Sequence, residues 1–313
     1  NCKNTMVALF QRPAEFDAIC WYKAMKGFGT DEAALIKIVA NRTTSQRLKI
    51  KEAYKSMYGR DLIQDLKKEL SGKFEDAMVA LFQDPIEYDC NSLRSAMKGL
   101  GTDEDTLIEI IISRTPPVLK QIKARFKEMF NRDLEADVKS ETSGTLQKIL
   151  IAVLQCQRST NVKADQSRCA NIAKEIYDAG EAKMGTDESV FNKYFATLSP
   201  NELACVAQNY HKLTGHTILQ AIDKEFSGKS KKALKTIVYA LISPSEYFAT
   251  RVQEAIKGFG TNDKLLIRVL ITRDEIDMNL IKQYFKQLYN KDMVKAVEDD
   301  ISGDYKKLMV ELC

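Results

Sequence analysis

Four short glycine loops constrain this chain more than any other feature. Lys26-Gly27-Phe28-Gly29-Thr30-Asp31-Glu32 returns as Lys98-Gly99-Leu100-Gly101-Thr102-Asp103-Glu104, as Ala182-Lys183-Met184-Gly185-Thr186-Asp187-Glu188, and as Lys257-Gly258-Phe259-Gly260-Thr261-Asn262-Asp263. The second glycines stand 72, 84 and 75 residues apart. A unit of about 70 residues repeated four times restricts the chain to repeat architectures, in which each unit buries its apolar face against a neighbour. The longer middle spacing accommodates a polar stretch, Gln157–Arg168, that reads as a linker between two halves.

The repetition extends beyond the loops. Apolar residues follow each loop at helical spacing: Leu35/Ile38/Val39, Leu107/Ile110/Ile111, Phe191/Tyr194/Phe195 and Leu266/Val269/Leu270. A second stripe reads Ile50/Tyr54/Met57, Ile122/Phe126/Met129, Val206/Tyr210/Leu213 and Ile281/Phe285/Leu288. Thr30, Thr102, Thr186 and Thr261 are expected to cap the helix carrying the first stripe, and Thr43, Thr115, Ser199 and Asp274 the next one. Thr43…Gln46 and Ser199…Glu202 have capping-box spacing. A third helix should start at Asp61, Asp133, Thr217 and Asp292 and end at the Ser-Gly pairs 71–72, 143–144, 227–228 and 302–303, with an apolar helix after each. Pro13, Pro85 and Pro244 fit the approach to a leading helix. The expectation is an all-α chain with five helices per repeat and almost no strand.

Bulk properties narrow the function classes. The net charge of +4, from 47 basic and 43 acidic side chains, is too small for a dedicated nucleic-acid binder. Seven cysteines without a C-x-x-C pair, beside only His211 and His216, speak against both a zinc cluster and a disulfide framework. The chain begins at Asn1, shows no signal-peptide pattern, and contains no apolar run of the roughly 18 residues needed to span a bilayer. Membrane contact would be peripheral. Neither histidine sits in a hydrolytic motif and no nucleophile–base arrangement stands out, so no enzyme is expected.

The loops themselves suggest calcium. That ion takes six to eight oxygens and accepts backbone carbonyls as readily as carboxylates. Glycine lets a loop turn its carbonyls inward because it reaches backbone angles other residues avoid. An acidic residue follows at the same offset of 42 positions in every repeat: Gly27 to Glu69, Gly99 to Glu141, Lys183 to Glu225 and Gly258 to Asp300. Three carbonyls and one bidentate carboxylate leave roughly two positions on the ion for a lipid phosphate. The residue between the glycines is apolar each time, Phe28, Leu100, Met184 and Phe259, as suits insertion into a bilayer interface, although inward packing would also accommodate it. Lys26, Lys98 and Lys257 could meet anionic headgroups. A helical scaffold that binds proteins, its loops mere turns, is the competing reading; the fixed acidic offset argues against it.

These residues resemble the annexin family over nearly the whole chain, from about Ala14 to Cys313. The resemblance implies a slightly curved disc of four five-helix repeats. It divides the chain into a short arm (1–13), repeats at 14–85 and 86–156, a linker (157–168), and repeats at 169–243 and 244–313. It implies reversible, calcium-dependent binding to anionic phospholipid, a cytoplasmic protein that goes to membranes when calcium rises, and leaves room for self-association there and for non-classical release. Residue by residue, it assigns calcium to the carbonyls of Met25, Gly27 and Gly29 with Glu69; of Met97, Gly99 and Gly101 with Glu141; and of Ile256, Gly258 and Gly260 with Asp300. The third repeat departs from the pattern and fits the variant Gly180, Lys183 and Gly185 with Glu225. Weaker sites would pair Thr30 with Glu32, Thr102 with Glu104, Thr186 with Glu188 and Thr261 with Asp263; capping of a helix start explains those acids equally well. Asp89, Glu109, Arg114 and Arg273 match a central polar channel in that family, and as buried ion pairs they also have a purely structural reading.

Overall fold

A computed structural model describes residues 12–27 and 29–313. The described residues form twenty helices and no strand. The first five are α1 (Pro13–Ala24), α2 (Glu32–Ala40), α3 (Thr44–Tyr58), α4 (Leu62–Glu69) and α5 (Gly72–Leu81). The second group is α6 (Pro85–Ala96), α7 (Glu104–Ser113), α8 (Pro116–Phe130), α9 (Leu134–Glu141) and α10 (Gly144–Leu154). The third is α11 (Gln166–Ala179), α12 (Glu188–Thr197), α13 (Pro200–Thr214), α14 (Ile218–Glu225) and α15 (Gly228–Ile242). The last is α16 (Pro244–Ile256), α17 (Asp263–Arg273), α18 (Met278–Tyr289), α19 (Met293–Asp300) and α20 (Gly303–Leu312). None of these helices is long and apolar enough to cross a membrane.

Most helix starts lie where the punctuation residues put them. Thr43 and Ser199 each close a capping box, with Gln46 and Glu202. Asp61, Asp133, Thr217 and Asp292 cap the fourth helix of each repeat. Thr115 precedes Pro116 but makes no side-chain cap bond. The caps expected at Thr30, Thr102, Thr186 and Thr261 lie one residue later. Asp31, Asp103, Asp187 and Asn262 accept instead, from the N–H groups of Ala34, Thr106, Ser189 and Leu265 at 3.0–3.2 Å. Asp and Asn are better N-caps than Thr, and these threonine hydroxyls have another partner, described below. Asp274 does not start a helix either. It ends α17, a turn through Asp277 precedes α18, and its carboxylate meets the Arg47 guanidinium at 3.1 Å.

The chain forms two compact units: the first repeat with Phe248–Cys313, and Ile86–Tyr247. Each pairs two repeats reciprocally. In the first unit α2 packs on α20 and α5 on α17; in the second α7 packs on α15 and α10 on α12. The apolar stripes read from the sequence supply these contacts. Leu35, Val39, Leu266 and Leu270 are buried in the first unit, and Leu107, Ile111, Phe191 and Phe195 in the second. Trp21 lies edge-on to Phe82 with ring centres 4.9 Å apart, and Phe191 meets Phe226 at 5.0 Å. The six described cysteines are free thiols.

The linker stretch is fastened to the third repeat. Arg158 donates to the carbonyls of Phe195 and Leu198 at 3.0 and 2.9 Å, so its charge meets the negative end of α12. Burial without a carboxylate partner lowers its pKa to about 10.

The start of α4 carries a buried carboxylate. Asp65 accepts two bonds from Arg60, at 2.6 and 2.8 Å, and one from the Tyr54 hydroxyl at 3.0 Å. The Arg60 bonds, foremost, hold the Asp65 carboxyl below the usual carboxylate range. Because the folded-state value is depressed, the contribution is fully present above the ordinary aspartate pKa and is lost as pH falls through the depressed value. Asp65→Asn should therefore lower the unfolding midpoint at pH 7 by about 2–4 °C. Thermal scans of both proteins from pH 7 to pH 3 should show the gap closing only at the acid end.

Candidate cation and membrane-contact loops

Each loop is closed by one backbone bond from the cap residue to the end of the preceding helix. Asp31, Asp103 and Asn262 donate to Ala24, Ala96 and Ala255 at 2.9, 2.9 and 2.8 Å. In the third repeat Asp187 reaches Ala179 at 2.7 Å across one additional residue. That insertion is why Lys183 stands where the other repeats have their first glycine. In the other three loops both glycines have positive φ: 123° and 86° at Gly27 and Gly29, 113° and 86° at Gly99 and Gly101, 112° and 87° at Gly258 and Gly260. A side chain would strain this backbone, which explains the two glycines.

The turn leaves its carbonyls unspent. Among the described residues, the carbonyls of Met25, Gly27, Gly29, Met97, Gly99, Gly101, Ile256, Gly258 and Gly260 accept no hydrogen bond. The third loop differs, because the Gly180 carbonyl accepts the Lys183 N–H at 3.1 Å. Gly180 is nevertheless packed against Glu225: an added Cβ would stand 3.1 Å from the Glu225 Cγ.

The distant acid is brought to each loop by the loop's own threonine. Thr30 donates to Glu69 at 2.9 Å, Thr102 to Glu141 at 2.8 Å and Thr261 to Asp300 at 2.5 Å; Thr186 donates to Glu225. The separation is 39 residues in all four. The shorter Asp300 thus reaches its loop. These threonine hydroxyls bond the distal acids, and Glu32, Glu104, Glu188 and Asp263, the acids expected beside the same threonines in weaker sites, have other surroundings. Glu188 accepts from Thr145, while Glu32 and Asp263 face a cavity of about 530 Å³ in the first unit, which Glu69 and Asp300 also line. No group of three or more His, Cys, Asp or Glu side chains is placed to hold a metal among the described residues. A cation at these loops would depend on the carbonyls.

The loop tips stand in solvent. Leu100, Met184 and Phe259 are fully exposed, at 109%, 102% and 114% of their reference surface. Phe28 lies outside the described residues. Lys26, Lys98 and Lys257 are exposed beside the tips. The third loop is also braced from below. Glu181 accepts from Tyr210 and from Lys224, both at 2.6 Å, with the His216 ring 3.2 Å away. Burial raises the Glu181 pKa, but the bonds from Lys224 and Tyr210 outweigh it and hold the carboxyl below the usual range.

The residues matched to a polar channel lie in both units. In the second, Arg114 donates to both Asp89 oxygens at 2.6 and 2.8 Å, and Glu109 is buried at 1% exposure. Burial disfavours the charged Arg114, yet Asp89, with Glu109 beyond it, raises its pKa. In the first unit Arg273 donates to Asp277 at 2.7 Å and lies over the Phe248 ring at 4.4 Å.

Fold and loops together define a helical repeat protein that presents carbonyl-rich turns, each with one carboxylate held beside it. The chain belongs to the annexin family: residues 16–81, 88–153, 172–237 and 247–312 match the Annexin pattern. It is 44% identical over 306 residues to annexin A7 of Homo sapiens, covering 96% of this chain and 63% of that protein, so it spans less than two thirds of that relative. The structure of annexin III superposes with a TM-score of 0.94 at 35% identity, covering 97% of this chain and 94% of that one. A calcium-bound annexin (Sm)1 structure gives a TM-score of 0.85 at 31% identity, covering 96% and 89%. Members of the family generally bind phospholipid in a calcium-dependent manner.

Proposed function

We propose that this protein binds anionic phospholipid membranes reversibly when calcium loads its glycine loops, and that it is not an enzyme. The observation carrying this reading is the conjunction of three unspent carbonyls with a carboxylate delivered by the loop threonine, in the first, second and fourth repeats. These are hard oxygen donors, the set that suits calcium. Met25, Gly27, Gly29 and Glu69 would hold one ion; Met97, Gly99, Gly101 and Glu141 a second; Ile256, Gly258, Gly260 and Asp300 a third. Gly180, Lys183, Gly185 and Glu225 would hold a fourth, more weakly, because the Gly180 carbonyl already accepts the Lys183 N–H and has one lone pair left to offer. Bound calcium supplies a positive charge with coordination positions left for a lipid phosphate. The calcium-bound state of annexin (Sm)1, a relative over nearly the whole chain, supports the choice of ion. A peripheral, cytoplasmic protein recruited by rising calcium is the setting this chemistry suits.

Co-sedimentation with liposomes, with and without phosphatidylserine, across a calcium titration tests the proposal. Binding should need both calcium and the acidic lipid and should reverse on chelation. Calcium-insensitive binding would instead favour a protein-binding scaffold. The exposed tips give a second handle. Phe259→Ser should weaken membrane binding roughly tenfold, the value of an aromatic side chain taken partly out of water, with thermal stability unchanged.

A further inference from the structure

Two thiols that the proposed function does not use face each other in the third repeat. Cys169 lies in the first turn of α11 and Cys205 in the second turn of α13, and these two helices pack along each other. Both side chains are enclosed, at 2% and 5% exposure. Their surroundings fix the register. The Cys169 thiol points to the Glu202 carbonyl, one turn ahead of Cys205, at 3.9 Å. The Asn209 amide, one turn beyond Cys205, donates to the Gln166 side-chain oxygen at 3.3 Å and lies 3.6 Å from the Cys205 sulfur. Gln166 is one turn ahead of Cys169, so the two sulfurs fall between these contacts, and the thiols hydrogen-bond each other. Burial, then that bond, raises the Cys169 pKa.

Packing alone does not call for this pair. In the matching places the other repeats have Ala14 with Lys49, Ile86 with Gln121 and Ser245 with Leu280. The third repeat differs also in what covers the place. Asp165 caps α11 by accepting the Arg168 N–H at 3.1 Å, and the Arg168 and Asn161 side chains both donate to Glu202. The linker and the first turn of α11 thus form a clasp over the two sulfurs. A first helical turn held by a few part-exposed polar bonds is where local opening is cheapest.

We propose that Cys169 and Cys205 are an oxidation site, at which a small-molecule disulfide converts the pair to an intrachain disulfide when the first turn of α11 opens. One protein thiolate attacks a sulfur of the reagent and expels its first thiolate. The second protein thiol then attacks the mixed disulfide, closes the Cys169–Cys205 bond and expels the other half of the reagent. Two protein thiols are oxidised, one disulfide is reduced to two small thiols, and these take up both protons. The new bond ties residues 36 positions apart, 169 to 205. It joins the helix that leads into the third glycine loop to the helix whose Tyr210 holds Glu181 in that loop.

The test is incubation of the reduced full chain with oxidised glutathione, followed by acid quenching, digestion and mass spectrometry of the linked peptides. Cys169–Cys205 should be the main intrachain link, with two glutathiones released for each. Arg168→Ala, which loosens the clasp, should speed its appearance about fivefold, the value of a part-exposed ion pair. The linked protein should unfold at a midpoint roughly 5 °C or more above the reduced one, and dithiothreitol should reverse the shift. Cys169→Ala and Cys205→Ala should each lose both the link and the shift, and the oxidised and reduced forms of the unaltered chain make the same comparison without a substitution. Glutathione adducts that persist on either cysteine without a link, links through other cysteines instead, a rate indifferent to Arg168→Ala or an unshifted midpoint would each overturn the proposal.

Discussion

Glu69→Gln combined with Glu141→Gln is expected to raise the calcium concentration for half-maximal liposome binding roughly tenfold or more. Each loop otherwise offers neutral carbonyls, so its glutamate is the only formally charged ligand in the proposed set. An amide keeps the size and still accepts from Thr30 or Thr102, which leaves the loop geometry intact. What is lost is the negative charge, and calcium affinity depends strongly on ligand charge. The double change disables two of four sites, and because linked weak sites multiply their effects, the loss at the membrane should exceed that at either loop. The check is a co-sedimentation titration beside circular dichroism of the folded protein. An unchanged calcium midpoint would remove Glu69 and Glu141 from the proposed ligand set.

The second large effect concerns stability. Asp89→Ala should lower the unfolding free energy of the unit containing it by about 3–5 kcal/mol, because it leaves the Arg114 guanidinium buried without its main counter-charge. Both side chains are nearly enclosed, 4% and 11% exposed. Removing both charges should be far milder: Asp89→Leu with Arg114→Met replaces a costly desolvated pair by apolar contact and should recover most of the loss. Urea unfolding of the three proteins makes the comparison. Recovery in the double variant identifies the pair as a structural element, whereas a double variant as unstable as the single one would require another role for Arg114.

Much of the fold was legible because the punctuation was redundant. The Ser-Gly pairs and the apolar stripes recurred in all four repeats, and the capping boxes at Thr43 and Ser199 fixed helix starts in two of them. The errors occurred where two polar residues competed for one task. Thr30 and Asp31 are both competent caps, and spacing alone could not show that the aspartate caps while the threonine holds Glu69. Asp274 occupies the register of Ser199, but its pairing with Arg47, 227 positions away, is invisible to local pattern. The distal acids were found by their constant offset, while the hydrogen bond that delivers them was missed, although the invariant threonine of the four loops was a signal for it. Nothing local in the linker announced that Arg158 would cap α12.

The reciprocal pairing of repeats has a consequence for how the molecule comes into being. The unit from Ile86 to Tyr247 is one uninterrupted stretch, so every partner it needs emerges from the ribosome together. The other unit is assembled from both sides of it. Arg47 and Thr44 find Asp274 and Glu275, 227 and 231 positions further on, only after the whole Ile86–Tyr247 unit has been made. Until then the apolar face of α2, meant for α20, has nothing to cover it. The repeat made before the Ile86–Tyr247 unit is thus completed only after it, and the growing chain spends that interval dependent on whatever shields an unfinished surface.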